Sequence, residues 1–224
     1  MSLFHKRNIR HFLISIELDN LRNYAEIMED QLQQQIDGFN EWYEQKTKGM
    51  TDEDKNEFGE HHSDDYHTLA RINPTLFRSS TLLTIYTCLE LNMKRSCLDL
   101  QKKLNITVNT LPKKHVKIHD SRDFLIKHDI VKERFFNESN EWNYIDKVYR
   151  EIRNAFAHGQ GEIYESKLAQ VQEGIKNLKC SIDNETDEIK LQKDFCPEFI
   201  KTIELFFDNL FKEIDPSYFR IQRS

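Results

Sequence analysis

The chain of 224 residues holds only 6 glycines and 4 prolines, too few for an all-β chain that turns every ten residues or so. No apolar run approaches the ~18 residues of a membrane span. The N-terminus, MSLFHKRNIRHFLISIELDN, lacks the apolar core and small-residue cleavage site of a signal peptide. Cysteine is scarce, and Cys88, Cys97, Cys180 and Cys196 form neither a CxxC pair nor a zinc spacing. They read as reduced core residues, with a structural disulfide as the alternative. No GxSxG, GxGxxG or Walker-type GxxxxGK occurs, and no βα alternation exists to hold one, which leaves serine-hydrolase, dinucleotide and P-loop readings without support. The absences together point to a helical, non-membrane protein of the cytoplasm.

Hydrophobic residues make up 38% and charged residues 31% of the chain, and 15 Phe with 8 Tyr are enough to fill a core. The expected fold class is all-α, a helical bundle with a long N-terminal helix and at most one small β-hairpin. Ile9, Leu13, Ile16, Leu21, Tyr24, Met28, Leu32, Ile36, Phe39 and Tyr43 recur at helical steps, which predicts one long amphipathic helix. An acidic linker follows, so residues 1–70 read as an extension and 71–224 as the main helical domain. After Pro74, Leu82, Tyr86, Leu89, Met93, Cys97, Leu100 and Leu104 predict a second long helix, with Ser79 or Ser80 as its cap. Phe124, Leu125, His128 and Val131 share the face of a short helix starting at Ser121. A third long helix is expected from Asn140, its cap, to Ala157, burying Trp142, Ile145, Val148, Tyr149, Ile152 and Phe156. Gly159 and Gly161 stop it. A hairpin around Asn184-Glu185-Thr186 and a final helix with Phe199, Ile203, Phe206, Phe207, Leu210 and Ile214 complete the chain.

The net charge of −6 conceals an asymmetry. Residues 1–70 carry 7 basic and 15 acidic side chains, residues 71–160 carry 16 and 10, and residues 161–224 carry 9 and 13. A basic middle third can meet a polyanion locally although the whole is acidic. Lys113, Lys114, Lys117, Lys147 and Arg150 are the candidate RNA-backbone contacts, with a solvated basic face as the plain alternative. His61, His62, Asp64, Asp65 and His67 follow no metal-ligand spacing and read as a solvated loop.

Arg153-Asn154-Ala155-Phe156-Ala157-His158 is the segment with chemistry in it. Arginine offers a planar fork for a phosphate, and histidine a proton near neutral pH. Asn154 and His158 share a helix face, whereas Arg153 and His158 lie roughly 140° apart around an ideal helix. The two can meet at one phosphate only where the helix ends, or where a second copy faces the first. A capping histidine and a solvent arginine bonded to Glu151 or nearby acids is the purely structural alternative.

RNAFAH resembles the R-x4-H motif of the HEPN superfamily, with the polar residue that commonly follows the arginine. The context, SSTLLTIYTCLELNMKRSC, then a polar connection, then EIRNAFAHG and a closing helix, is most similar to prokaryotic abortive-infection and toxin-type members, over about residues 75–214. The resemblance implies a metal-independent endoribonuclease without a cofactor, the toxic effector of an antiviral-defence or toxin–antitoxin system. It also implies a homodimer or higher homo-oligomer with both motifs lining one cleft, and an antitoxin or defence-system partner. Arg153 would hold the scissile phosphate, His158 would transfer protons and Asn154 would position either the phosphate or His158, with Arg153 and His158 facing solvent in a cleft. Products would carry a 2′,3′-cyclic phosphate and a 5′-hydroxyl. HEPN toxins modified by a nucleotidyltransferase antitoxin have tyrosine two residues after the histidine; here Gln160 stands there. A non-catalytic HEPN module that binds RNA, nucleotide or a partner, and an interaction protein working through the residue 9–43 helix, are the rival readings.

Overall fold

Two long apolar stripes, one in each half of the chain, fix the frame of the bundle. The computed structural model describes residues 9–107, 111–112, 116–176, 178–183 and 188–214. Helix α1 spans Ile9–Thr47, followed by α2 (Asp52–His61), α3 (Ser63–His67), a π-helical turn (Thr68–Ile72) and α4 (Asn73–Lys103). Next come α5 (Ile118–Lys127), α6 (Glu133–Glu138), α7 (Asn140–Tyr144), a second π turn (Ile145–Tyr149) and α8 (Arg150–His158). Helix α9 (Glu165–Ile175), strands β1 (Cys180–Ile182) and β2 (Ile189–Leu191), and α10 (Phe195–Glu213) are the last of the described elements. The fold is all-α, and among the described residues its one sheet is an antiparallel hairpin, in which Cys180 pairs with Leu191 and Ile182 with Ile189. The turn expected at Asn184-Glu185-Thr186 lies outside the described residues, as do Lys113 and Lys114.

Helix α4 is the central rod. Leu82, Tyr86, Leu89, Met93, Cys97 and Leu100 are all buried, as their spacing predicts, and α1, α5, α8 and α10 pack around it. Its start differs from the sequence expectation. Ser79 and Ser80 lie inside the helix, their hydroxyls donating to the Leu76 carbonyl. The helix reaches back past Pro74 because the π turn widens the backbone just where proline lacks an N–H and would crowd the preceding carbonyls. The third expected helix is likewise continuous from Asn140 to His158, with a π turn in its middle. Its cap is Ser139 rather than Asn140: Ser139 Oγ accepts from the Trp142 N–H at 3.1 Å. Trp142, Ile145, Val148, Tyr149 and Ile152 are buried, and Tyr149 stacks on Phe199 with ring centroids 4.0 Å apart. Short helices α6 and α9 carry too few periodic residues to announce themselves in the sequence.

Helix α1 packs along α4 and α10, and Ile14, Leu18 and Ala25 belong to the same core as the rest of the bundle. A buried ion pair fixes its middle. Arg78 donates to both Glu29 oxygens, at 2.6 and 2.8 Å, and its third nitrogen reaches the Leu191 carbonyl at 2.9 Å. That one guanidinium joins α1, α4 and the hairpin. The expected stripe on α1 divides. Leu32 is buried, while Ile9, Leu13, Ile16 and Tyr24 face outward. A second set at the same period, Ile14, Leu18 and Ala25, takes the core, because α1 is apolar on two faces and only one meets the bundle.

All four cysteines are free, with burial pushing Cys88 up to about 11 and Cys97, Cys180 and Cys196 up to about 12. Cys97, Cys180 and Cys196 are buried and Cys88 is half-buried, which favours the protonated thiol in each. Among the described residues no helix is long and apolar enough to cross a membrane. The His61, His62, Asp64, Asp65, His67 segment is largely exposed, with His62 Nδ1 3.1 Å from Asp65 Oδ2 and its ring packed on Trp42 and Phe58. No group of three or more His, Cys, Asp or Glu among the described residues is arranged to hold a metal ion.

Candidate functional site

The helix that carries the motif ends in a tight turn. Gly159 and Gly161 both donate their N–H to the Ala155 carbonyl, at 2.7 and 3.0 Å, which closes the last turn of α8 behind His158. Gln160 (φ 54°) and Gly161 (φ 104°) occupy the left-handed region. A side chain at Gly161 would also press on the Phe156 ring, 3.2 Å from an added Cβ. The hairpin then braces this turn, since Ile189 N–H donates to the Gly161 carbonyl at 3.0 Å. His158 is therefore the final residue of a helix whose end is fixed from two sides. Its side chain is exposed.

Arg153 is in a different position. Its guanidinium lies over the ring of Tyr86 on α4, 4.6 Å from the centroid. Nη2 donates to Glu90 Oε1 at 3.1 Å, and Nη1 donates to Asn154 Oδ1 at 3.0 Å. The side chain keeps 24% of its surface exposed. Arginine is held on its face and on two edges, which leaves three of its five N–H groups unassigned. Asn154 thus orients Arg153 rather than His158. Glu151 is not the partner of Arg153; it is buried and paired with Arg150 Nη2 at 3.0 Å.

Glu90 is not among the residues that the sequence singles out. The signal that could have found it is its place four residues after Tyr86, on the flank of the core stripe of α4. Burial pushes its carboxyl above the usual range, and the nearby charges of Arg153 and Lys117 oppose that shift. Tyr86 is buried, its hydroxyl has no hydrogen-bond partner among the described residues, and burial pushes its ionisation well upward. The ring serves as a platform for a cation, not as an acid.

Of the expected basic contacts, Lys117 lies exposed at the N-terminus of α5 and is near enough to Glu90 to act on its charge. Lys147 is exposed as well. Arg150 is committed, with Nε donating to the Asp146 carbonyl at 2.9 Å and lying 3.2 Å from Asp146 Oδ1. Asp146 also lies 2.7 Å from His119 Nε2. Burial pushes the Asp146 carboxyl up, but His119, Arg150 and Arg122 outweigh it and hold the group below its ordinary range. Asp146, Arg150, Asn154 and His158 recur every four residues, one polar face of the helix, with Arg153 beside it. No family model matches the chain, and neither a curated protein nor a solved structure matches it.

Proposed function

We propose that this chain is a metal-independent HEPN-type endoribonuclease, the toxic effector of a prokaryotic defence or toxin–antitoxin system acting in the cytoplasm. The observation that carries the reading is Arg153, fixed by Tyr86, Glu90 and Asn154 one helical turn before an exposed His158. A guanidinium set in place before substrate arrives can bind a phosphodiester in a fork and offset the charge that builds on phosphorus oxygens. In the reaction, the RNA 2′-hydroxyl oxygen forms a bond to phosphorus and the bond to the 5′-oxygen breaks. One proton leaves the 2′-hydroxyl and one reaches the departing oxygen, giving a 2′,3′-cyclic phosphate and a 5′-hydroxyl. His158 serves as base for the first or acid for the second. The histidine of a second copy supplies the other role, because Arg153 and His158 of one chain leave the helix on faces roughly 140° apart.

Lys117 and Lys147 extend the positive surface beside the motif for the RNA backbone. An antitoxin or other defence-system protein would restrain the activity. Incubating purified wild type, Arg153→Ala and His158→Ala with cellular RNA, with and without EDTA, tests the reading. Cleavage by wild type alone, unaffected by EDTA, is the expected outcome; loss of wild-type cleavage in EDTA contradicts it. One observation favours the rival, a non-catalytic RNA-, nucleotide- or partner-binding module: Glu90 already neutralises Arg153. Binding without cleavage, unchanged in His158→Ala, would support that module instead.

A further inference from the structure

A histidine outside the motif is held against the same polar face that ends in His158. His119, in the first turn of α5, brings its Nε2 to 2.7 Å from Asp146 Oδ1, and both atoms are buried. The ring also meets Trp142 edge-on, with centroids 6.0 Å apart. The imidazole is thus fixed at one nitrogen and on one side, yet 31% of the side chain stays exposed. Its other nitrogen, Nδ1, has no partner among the described residues. Because Nε2 faces a carboxylate, it carries a ring proton in either charge state. Nδ1 then offers a lone pair when the ring is neutral and an N–H when it is charged. The lone pair can accept from a ribose hydroxyl, and the N–H can donate to a phosphate.

Asp146 does not need a histidine to offset its charge, since Arg150 Nε lies 3.2 Å from the same oxygen. The histidine and the motif also share their surroundings. Asp146, Arg150, Glu90 and Arg153 all lie near enough to the buried Tyr86 hydroxyl to act on its ionisation. Lys117, two residues before His119, acts on Glu90 as Arg153 does. Along the helix Asp146 precedes Arg153 by two turns, ~10 Å. A strand whose phosphodiester is held by Arg153 therefore brings its next nucleotide toward α5. We propose that His119 contacts the ribose-phosphate of the nucleotide beside the scissile one, forming a second RNA subsite within the same chain. The identity of the ligand rests on the nuclease reading. His119 binds, Asp146 positions it, and neither is assigned a proton of the cleavage step.

Binding measured in the His158→Ala protein, which the nuclease reading leaves able to hold RNA without cutting it, tests the subsite. The probes are a single-stranded RNA of about six nucleotides, followed by fluorescence anisotropy, and a dinucleoside monophosphate as competitor. His119→Gln keeps an amide donor for Asp146 and removes Nδ1. It should weaken the longer RNA about fivefold or more and the dinucleoside monophosphate less than about twofold, with the melting transition unchanged. Asp146→Asn should reproduce that dependence on length. His11→Gln is the control, because His11 Nε2 forms a similar pair with Asp208 at 2.6 Å between α1 and α10; it should bind both probes as the parent does. Equal losses for the two probes, undiminished binding of the longer RNA by His119→Gln, or a parent that binds no RNA overturns the inference. Cleavage by a protein with His158 intact that is indifferent to residue 119 removes the subsite and keeps the nuclease reading. RNA held through His119 but never cut establishes the subsite and removes only the nuclease reading.

Discussion

Arg153 and His158 belong to one helix and one motif, yet the bundle treats them in opposite ways. Arg153 is three-quarters buried, stacked on Tyr86 and bonded to Glu90 and Asn154. His158 sits at the open end of the same helix with its side chain in solvent. A cation whose task is to hold a phosphate gains from being fixed beforehand, because no reorganisation is then needed as charge develops. A proton-transfer group instead needs access to the reacting oxygens and freedom to adjust. What the protein fixes at His158 is the backbone, through the turn at Gly161 and the hairpin behind it.

That contrast separates the consequences of substitution. Arg153→Ala should abolish cleavage and also lower stability by ~1–3 kcal/mol, since it leaves Glu90 half-buried without its partner. His158→Ala should abolish cleavage with less than ~0.5 kcal/mol change. Denaturant melts beside activity assays check both, and equal stability losses would erase the contrast. Arg153→Lys should also largely fail to cleave, because a point charge cannot reproduce the fork.

Gly161→Ala comes next. The left-handed backbone (φ 104°) and the Phe156 ring should together cost about 1–2 kcal/mol. Cleavage should fall with it, as the turn supporting His158 shifts, while RNA binding through Arg153 persists.

A smaller effect belongs to Glu90. Its folded carboxyl titrates above the ordinary 4.5 because burial disfavours the charged form. The folded state is therefore penalised, relative to the unfolded chain, at pH above the folded value, and the penalty disappears once pH falls below 4.5. Glu90→Gln should be no less stable than wild type at neutral pH, and any advantage should vanish in acid; melts across pH 4–8 measure it. The smallest change is Tyr86→Phe. It keeps the ring under Arg153 and removes a buried hydroxyl without a partner, so stability should hold or rise by up to ~1 kcal/mol, by thermal melting.

Sequence periodicity located the core of α4, of the α7–α8 helix and of α10, because each buries a single stripe at regular steps. It failed on α1, where two apolar stripes compete and spacing alone does not say which one the bundle takes. The start of α4 was misplaced, because a π turn lets the chain continue through Pro74. Within the site, Arg153, Asn154 and His158 were legible as a local motif. Glu90 and Tyr86 were not, because they come from a helix more than sixty residues earlier in the chain and meet Arg153 only through packing. The commitment of Arg150 to Asp146 and Glu151 was likewise invisible, although both acids lie within one turn of it.

The central claim is that proton transfer by His158 beside a fixed Arg153 cuts RNA without a metal. The most direct measurement is mass spectrometry of the ends produced from a defined single-stranded RNA in EDTA, by wild type and by His158→Ala. Wild type should yield 2′,3′-cyclic phosphate and 5′-hydroxyl ends, and His158→Ala should yield none. Ends bearing a 5′-phosphate, or the same products from His158→Ala at the wild-type rate, would contradict it.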